Sequence, residues 1–571
     1  MEDFLKTKLI LILTALFAAC SSNSSNNTTE SNQIDYSETS AVEAAVRSAP
    51  FSKGVNFSDW FESNNAGGIP FTKYTEQDFI DVKSLGADVI RLPVKMHSMT
   101  GGAPNYTLDP LLVKFLKIAV DWAEKHEIYI IIDNHSFDPV LSTSADIDRI
   151  LIPVWEQVAR LFKDRGKFVL YEILNEPHGV NDARWGEIQG KTIEAIRRID
   201  NKHLIIVGGT DYNSIKKLAA IPKYTDANLI YTFHFYDPHI FTHQGATWGE
   251  PSMASLKGVP FPYKSEKMPK VPANLRGTWI EGAISRYQYE STPSALYASL
   301  NRVVAFSKER DVPVFCGEFG VFIPNSPKED RVTWYKVVSD ALDKRNISRA
   351  SWDYYGGFGV FNVNKGSFNH DLNVEVVRAI GFNPPAQIGR TEQPLNNGFV
   401  IYDDYPNNKY VSAGFWGDGV DFSMYDSNSA QGEFAIRWGN ASQYDVFYFE
   451  IAQSIKDFSL IVKDGFYLEF KARTQSSVNF DVRFLNGEDP VPWRMRYVIN
   501  NEILPSDGKW HTVKIPLAQM KEHGAWVSAT QKWLSPEGKF SWKDVQRLEF
   551  VSEYGDMKGV SIWFDDIKIS N

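Results

Sequence analysis

The sequence predicts an α/β fold, a (β/α)₈ TIM barrel, followed by a smaller all-β jelly-roll sandwich. From Gly54 to about Gly381, eight strand-like apolar runs alternate with helical patterns, which favours a closed parallel sheet. Beyond Phe382 the period changes to two, which is typical of strands in a sandwich. Residues 383–397 are rich in proline and polar side chains and are expected to link two domains that fold on their own.

Each predicted barrel strand is a short apolar run of the kind that is buried on both faces of a parallel sheet. The runs are Gly54–Phe57, Val89–Leu92, Tyr129–Ile132, Val169–Leu174, Leu204–Val207, Leu229–Phe233, Val314–Cys316 and Ala350–Tyr354. Helical patterns separate them: Thr75 caps one that ends at Gly86, and Asp109 with Pro110 opens the next. Because active sites of such barrels lie at the carboxyl ends of the strands, polar residues there are the first functional candidates.

The sandwich is predicted over residues 398–571, where apolar and polar side chains alternate. Its clearest strand patterns are Tyr467–Arg473, Val478–Phe484, Trp510–Ile515 and Val560–Ile567. Asp565 or Asp566 is a candidate ligand for a structural calcium ion, although an aspartate that ends a strand is the simpler interpretation.

Composition and charge favour an exported protein with a neutral partner. The chain has 571 residues, of which 43% are hydrophobic, and this is ample for two cores. A net charge of -10 argues against a nucleic-acid partner, whose phosphates require clustered Lys and Arg. We expect a monomer.

The start of the chain resembles an export signal. Lys6 and Lys8 precede an apolar run, Leu9–Ala19, which has the length of a signal-peptide core and is too short to span a bilayer. The run that ends at Cys20 resembles a bacterial lipoprotein processing site, so residues 1–20 are expected to be removed and Cys20 lipidated.

This interpretation predicts a cell-surface or outer-membrane lipoprotein that touches the membrane only through its lipid. Residues 21–48, rich in Ser and Asn, would be a flexible tether. In the alternative, an ordinary secretory signal, Cys20 is discarded and the protein is secreted. With Cys20 lipidated, the second cysteine, Cys316, has no disulfide partner.

Two glutamates follow or close apolar runs. Glu176 stands in Asn175-Glu176-Pro177, and Glu318 stands between Gly317 and Phe319-Gly320. Two carboxylates on rigid strand ends suit hydrolysis of a glycosidic bond, in which one protonates the leaving oxygen and the other attacks the anomeric carbon or activates water.

Together with neighbouring strand-end residues, these glutamates give the barrel, residues 49–382, a specific resemblance to glycoside hydrolase family 5. The eight positions that carry the resemblance are Arg91, His135, Asn175, Glu176, His234, Tyr236, Glu318 and Trp352. The resemblance implies a retaining mechanism in which Glu176 is the acid/base and Glu318 is the nucleophile.

The resemblance also implies roles for the other six residues. Arg91 and Tyr236 would hold the nucleophile ionised, and Asn175 would bind the sugar 2-hydroxyl. His135 and His234 would donate to sugar hydroxyls or orient the acid. Trp352 would be the floor under the sugar at the cleaved bond.

Further residues are candidates for substrate or metal contacts. Trp60, just past the first strand, and Trp248, in a long connection after the sixth, are candidate stacking surfaces for a pyranose. His234, His239 and His243 suggest a metal site, but their spacing matches no familiar zinc pattern. A carboxylate pair needs no metal, so no metal or cofactor is expected in catalysis.

The sandwich resembles carbohydrate-binding modules of jelly-roll form, such as family 11. The segments Asp507–Trp510 and Trp563–Ile567 carry this resemblance. Candidates for a glycan groove, several of which are expected to lie in the core, are Trp438, Tyr448, Trp493, Arg494 and Arg496.

The sequence therefore favours a retaining endo-β-1,4-glucanase that acts on cellulose or a related β-glucan. A β-mannanase or xyloglucanase of the same family is an alternative, because the fold does not select the polysaccharide. A non-catalytic glycan-binding surface lipoprotein is a third hypothesis.

Overall fold

The computed structural model describes residues 46–362, 366–390, 393–417, 420–487, 491–528 and 530–571. These residues belong to one compact unit. The predicted signal, Cys20 and nearly all of the tether lie outside them. Within the described ranges, no helix has the length and apolar character needed to cross a bilayer.

Eight parallel strands close into a barrel, which confirms the predicted fold. The strands are β1 Lys53–Asn56, β2 Val89–Val94, β3 Tyr129–Asn134, β4 Val169–Glu172, β5 Leu204–Gly208, β6 Leu229–Phe235, β7 Val314–Phe319 and β8 Ser348–Ser351. Strand β1 pairs with both β2 and β8, which closes the sheet. The strand ends differ from the sequence patterns: Arg91, His234 and Glu318 lie inside strands, and Trp352 follows β8.

Helices surround the barrel. They are α1 Glu76–Ser84, α2 Pro110–Lys125, α3 Asp148–Phe162, α4 Asp182–Arg197, α5 Thr210–Asn213, α6 His239–Thr242, α7 Trp279–Glu290, α8 Pro293–Arg310, α9 Lys328–Lys344 and α10 Val374–Ile380. Thr75 and Asp78 form a capping box at α1, and Asp109 accepts a 2.8 Å bond from the backbone N–H of Leu111 at α2. The interior below the site is filled by buried apolar side chains, including Ile131, Leu170 and Phe315.

The second domain is an antiparallel sandwich, as predicted. Its strands are β9 Phe399–Asp403, β10 Tyr405–Pro406, β11 Val411–Trp416, β12 Asp421–Asp426, β13 Ala435–Gly439, β14 Val446–Ile451, β15 Tyr467–Thr474, β16 Phe480–Leu485, β17 Arg494–Ile499, β18 His511–Pro516, β19 Lys521–Val527, β20 Lys532–Leu534, β21 Arg547–Val551 and β22 Ser561–Ser570, with a short helix α11 Ser459–Lys463. They form two sheets of seven strands each. Aromatic side chains fill the space between the sheets; the rings of Phe447 and Phe550 stack with centroids 4.5 Å apart.

The sandwich packs directly against the barrel through an aromatic cluster. Phe71 stacks on Phe115 of α2 at 4.0 Å, and Tyr425 of β12 meets Phe115 edge-on at 5.0 Å. The Tyr425 hydroxyl donates to the Ile69 carbonyl (2.6 Å) and accepts from the Phe71 N–H (3.0 Å). The rings are buried, and the buried hydroxyl has both a hydrogen-bond acceptor and a donor as partners. The two domains therefore form a packed interface.

The predicted linker is also held in place. The Asn383 N–H donates to the Leu85 carbonyl of the barrel at 2.9 Å, and the Leu395 N–H donates to the Asp457 carbonyl of the sandwich at 2.8 Å. The Arg390 guanidinium forms an ion pair with Asp371. The described part of the linker is therefore bound to both domains.

Candidate active site

The eight residues that carry the family resemblance lie together at the carboxyl ends of the strands. Arg91 comes from β2, His135 follows β3, and Asn175 and Glu176 follow β4. His234 lies in β6, Tyr236 follows it, Glu318 lies in β7 and Trp352 follows β8. Parallel strands that close into a barrel bring all their carboxyl ends to one rim, so residues far apart in sequence converge there.

The two glutamates face each other across His234. The His234 Nδ1 lies 2.6 Å from Glu176 Oε1 and 3.4 Å from Glu318 Oε2. One carboxylate oxygen from each glutamate and one ring nitrogen all lie within 4.8 Å of one another. Retaining glycosidases hold their carboxyl groups about 5–5.5 Å apart, whereas inverting enzymes leave room for a water molecule between them. The spacing thus fits direct attack by a carboxylate.

Glu318 is oriented by one hydrogen bond to each carboxylate oxygen. The Arg91 Nη1 donates to Oε1 at 2.8 Å, and the Tyr236 hydroxyl donates to Oε2 at 2.8 Å. The two bonds fix the orientation of the carboxylate. Cys316, two residues earlier in β7, is fully buried, and its Sγ donates to the Glu318 carbonyl oxygen at 3.3 Å.

Arg91 is fully buried among three carboxylates. Besides Glu318, it contacts Glu172 through Nε and Nη2 (2.8 and 2.9 Å) and Asp133 at 3.1 Å. Burial lowers the pKa of Arg91, but the three negative charges outweigh it and raise the pKa above its ordinary value. Sequence reasoning missed Asp133 and Glu172, although each closes a buried strand as Glu318 does.

The side chain of Asn175 is fixed by the same network. Its Oδ1 accepts a 2.6 Å bond from Arg91 Nη2, and its Nδ2 lies 3.4 Å from His135 Nε2. Because Arg91 holds its oxygen, the amide presents a constant geometry to a bound sugar, which suits recognition of a single hydroxyl.

His135 forms a charged platform beside Trp352. Its Nδ1 lies 2.7 Å from Asp133, its Nε2 lies 3.6 Å from Glu62, and its ring stacks on Trp352 at 5.6 Å. Burial lowers the pKa of His135, but Glu62 and Asp133 outweigh that effect and raise it to about 9. The ring is therefore an imidazolium at neutral pH, and the half-buried Trp352 supplies a flat face next to it.

Glu176 and His234 form a 2.6 Å hydrogen bond between Oε1 and Nδ1. Burial raises the pKa of Glu176 to about 7 and lowers the pKa of His234 to about 4. Between about pH 4 and pH 7 the carboxyl group is therefore protonated while the ring is neutral, which is the state that a general acid requires. Burial also raises the pKa of Glu172 to about 7.

The two tryptophans proposed as stacking surfaces have different positions. Trp60 is 0% exposed, and its Nε1 donates to the Phe71 carbonyl at 2.7 Å, so the expectation that it touches substrate is wrong. It belongs to the aromatic core between the barrel and its helices. Trp248 is 43% exposed, meets Phe322 edge-on at 4.8 Å and lies 6.3 Å from His243. Since His243 packs on Tyr236, Trp248 stands at the margin of the site.

The histidine cluster of the long connection is not assembled as a metal site. His239 and His243 stack on each other at 3.9 Å, and His243 Nδ1 bonds the Thr242 hydroxyl. Burial lowers the pKa of both rings. In the described part of the chain, the one group with metal-binding geometry is Glu176, His234 and Glu318, whose closest atoms already bond one another, Arg91 and Tyr236.

Comparison with known families identifies the barrel. The family model described as "Cellulase (glycosyl hydrolase family 5)" matches residues 49–357. The chain belongs to glycoside hydrolase family 5. A second model, "Carbohydrate binding domain 30", matches residues 400–571, which confirms the predicted carbohydrate-binding module; the matching family is domain 30, whereas the sequence suggested family 11 as an example.

Curated relatives share the family 5 domain. Endoglucanase 3 of Fibrobacter succinogenes is 28% identical over 336 residues, which cover 55% of this chain and 51% of that protein. Endoglucanase C of Acetivibrio thermocellus is 24% identical over 337 residues, which cover 56% of this chain and 96% of that protein. The chain thus spans about half the length of the Fibrobacter relative.

Solved structures match over the same region. A crystal structure of endoglucanase Cel5A from Thermotoga maritima is 25% identical and covers 58% of this chain and 96% of its own, with a TM-score of 0.49. The cellulose synthase subunit Z of Clostridioides difficile is 24% identical and covers 58% of this chain and 99% of its own, with a TM-score of 0.49.

The sandwich presents polar and aromatic side chains on the outer face of one sheet. Tyr448 lies under the Arg547 guanidinium (4.6 Å), and Arg494 lies over Trp533 (5.3 Å). Arg496 lies 3.3 Å from Asp481. By contrast, two of the groove candidates are buried: Trp438 packs between the sheets against Phe447, and Trp493 lies under the Lys539 ammonium group.

The calcium candidates bond groups of the chain itself. Asp565 is fully buried and accepts from the backbone N–H groups of Ala430 (2.7 Å) and Gln431 (3.0 Å). Asp566 forms an ion pair with Lys568 at 2.8 Å. Both residues lie in the middle of β22, so the interpretation as strand-end aspartates is wrong; Asp565 instead holds the loop at Ala430 and Gln431.

The pKa of Glu176 predicts how activity depends on pH. If Glu176 is the proton donor, it must be protonated, and kcat/KM should then fall as pH rises through about 7. The His135 charge lowers the pKa of Glu176, so His135→Gln should move this alkaline limb to higher pH. Profiles of kcat/KM against pH measure both effects. His126→Gln, at the far end of α2, is the control and should leave the limb in place; an unmoved limb in His135→Gln would contradict the assignment.

Proposed function

We propose that the protein is a retaining endo-β-1,4-glucanase that hydrolyses cellulose or a related β-glucan. The observation that carries this proposal is the pair Glu176 and Glu318, both within reach of His234 and with carboxylate oxygens inside 4.8 Å. The family 5 match and relatives that are named endoglucanases support the choice of substrate.

The geometry suggests two chemical steps. In the first, Glu318 attacks the anomeric carbon while Glu176 gives its proton to the leaving oxygen, which breaks the glycosidic bond and forms a glycosyl ester. In the second, ionised Glu176 takes a proton from water, which attacks the same carbon and releases Glu318. Arg91 and Tyr236 donate hydrogen bonds to the Glu318 carboxylate and stabilise its negative charge again when it leaves the anomeric carbon.

Removal of the acid should affect substrates according to their leaving groups. Glu176→Ala should lower kcat on β-glucan by about 10²–10⁴, and far less on an aryl cellobioside whose phenol leaves without protonation. Initial rates on the two substrates give the comparison. Equal losses on both would show that Glu176 is not the proton donor.

The polysaccharide is tested by one assay of reducing sugar. We expect release from carboxymethylcellulose and lichenan to exceed release from xyloglucan and galactomannan. The reverse order would favour a xyloglucanase or a β-mannanase. Absence of release from all four substrates would favour the non-catalytic glycan-binding hypothesis. The complete set of catalytic side chains argues against that hypothesis.

We also propose that the sandwich binds the same glucan. The match to carbohydrate binding domain 30 supports this role, and the outer face with Tyr448, Arg494 and Trp533 is the proposed surface. Aromatic faces pack against pyranose rings, and guanidinium groups donate to their hydroxyls.

For location, we propose a lipoprotein anchored through Cys20, on the pattern of charged residues, apolar core and cysteine at the start of the chain. Wild-type protein should then sediment with membranes, and Cys20→Ser should release it or leave it uncleaved. Fractionation with detection of the C-terminal domain measures this. Mature enzyme in the medium with its first residue beyond Cys20 would favour the secreted alternative.

A further inference from the structure

The sandwich covers the barrel at the catalytic end. Its contact surface is the connection between β1 and α1 together with the start of α2, where Phe71 and Phe115 meet Tyr425. Connections that follow a strand and precede a helix form the same rim of a barrel as its active site. The sandwich therefore lies beside the catalytic rim and not at the opposite end.

An open groove of about 530 Å³ runs along this seam. Residues of both domains line it: the barrel supplies Asn65, Gly67 and Asp109, and the sandwich supplies Ser423, Asp426 and Arg437. A volume of this size is typical of a ligand site. Neither domain forms the groove without the other.

The lining favours a neutral ligand with many hydroxyl groups. It carries three carboxylates, those of Asp109, Asp421 and Asp426, and one guanidinium, that of Arg437. Arg437 is held by ion pairs with Asp421 and Asp426, so its charge is already balanced. An excess of negative charge disfavours anionic glycans, whereas fixed carboxylates, amides and hydroxyls suit sugar hydroxyls.

The groove begins close to the catalytic residues. Glu62, which lies 3.6 Å from His135, is only three residues before Asn65. Three residues span at most about 11 Å, so a glycan that leaves the site beside His135 reaches the groove within a few sugar units. The connecting segment is fixed, since Lys95 Nζ bonds Asn64 (2.6 Å) and Ser98 bonds the Ser63 carbonyl (2.8 Å).

The two domains approach closely at the groove because Gly67 has no side chain. A Cβ atom on Gly67 would lie 2.6 Å from Ser423 Oγ and 3.1 Å from Ser423 Cα, which real side chains do not tolerate. A Cβ atom on its neighbour Gly68 would likewise lie 2.9 Å from the Phe415 ring. Side chains at these positions would push the sandwich away and widen the seam.

We propose that the seam groove is a distal glucan-binding subsite, built jointly by the barrel and the sandwich. It holds the part of a β-1,4-glucan chain that extends past the catalytic site on the side of Glu62. This assignment rests on the proposed endoglucanase function and adds the sandwich to the substrate-binding cleft itself.

Two variants test the groove by different physical means. Gly67→Leu wedges the domains apart, and Ser427→Trp fills the groove from an exposed position on the sandwich. The ratio of kcat/KM on cellohexaose to that on cellotriose should fall roughly five- to tenfold in each, the equivalent of one subsite. Gly101→Leu is the matched control, because a Cβ there meets only the Thr107 carbonyl at 3.8 Å; its ratio should stay that of wild type.

Calorimetric titration of cellohexaose into the Glu318→Gln protein, with and without Ser427→Trp, tests the groove without turnover. A weaker affinity for cellohexaose with Ser427→Trp supports the subsite even if wild-type protein releases no sugar, in which case only the proposed function fails. An unchanged chain-length ratio together with unchanged cellohexaose affinity would overturn the subsite.

Discussion

Glu318→Gln removes hydrolysis while the barrel stays folded: we expect kcat to fall by about 10⁴-fold or more. The amide has the shape of the carboxylate but cannot form the glycosyl ester. It still accepts from Tyr236 or Arg91 through its remaining oxygen, and Glu172 and Asp133 continue to balance the buried guanidinium. The substitution removes the attacking oxygen and leaves the other substrate contacts in place. Substrate affinity should therefore persist although the reaction is lost.

Initial rates and circular dichroism on the purified variant give the measurement. Glu329→Gln, an exposed glutamate in α9, is the control and should keep full activity. Activity of Glu318→Gln within about tenfold of wild type would exclude covalent catalysis by this residue.

Truncation after Gly389 should strongly destabilise the barrel. Loss of the sandwich exposes Phe71 and Phe115, which are now buried against Tyr425. Full exposure of two phenylalanine side chains costs on the order of 4 kcal/mol, which is an upper bound because Phe71 still stacks on Trp60 and Trp122. Because domains are typically stable by about 5–15 kcal/mol, this is a large share of the total.

Thermal unfolding followed by calorimetry measures this effect. The full protein should unfold in one transition, and the truncated barrel should unfold at a clearly lower Tm and aggregate. Phe71→Ser with Phe115→Ser in the truncated barrel is a matched variant, since it removes the exposed rings and should restore solubility. Two separate transitions in the full protein, with a truncated barrel as stable as the whole, would instead support independent modules.

The local pattern of apolar residues is sufficient to predict the site residues that lie in barrel strands or directly after them. Arg91 and Glu318 lie in strands, Glu176 and His135 lie in the loops that follow strands, and strands are visible as buried apolar runs. Closure of the barrel then brings them together without further information. The apolar pattern does not fix where a strand ends: it predicts Trp352 inside β8, and the structure places Trp352 directly after that strand.

Contacts between distant segments could not be predicted from local pattern. Trp60 follows a strand as a catalytic aromatic would, but Phe71, eleven residues later, accepts its N–H and holds it in the core. The docking of Tyr425 on Ile69 joins residues 356 apart in sequence, and a proline-rich segment between the domains gave no sign of it. Such contacts depend on complementary shape, which composition does not encode.

The buried thiol of Cys316 makes the opening of the active-site strand observable. Burial raises the pKa of this thiol, and its Sγ donates to the backbone carbonyl of Glu318. A disulfide reagent in solution reacts with an exposed thiolate, so it modifies Cys316 only in molecules in which β7 has separated from its neighbours. The rate of modification in native buffer therefore reports the free energy of separating β7, which carries Glu318, from its neighbouring strands.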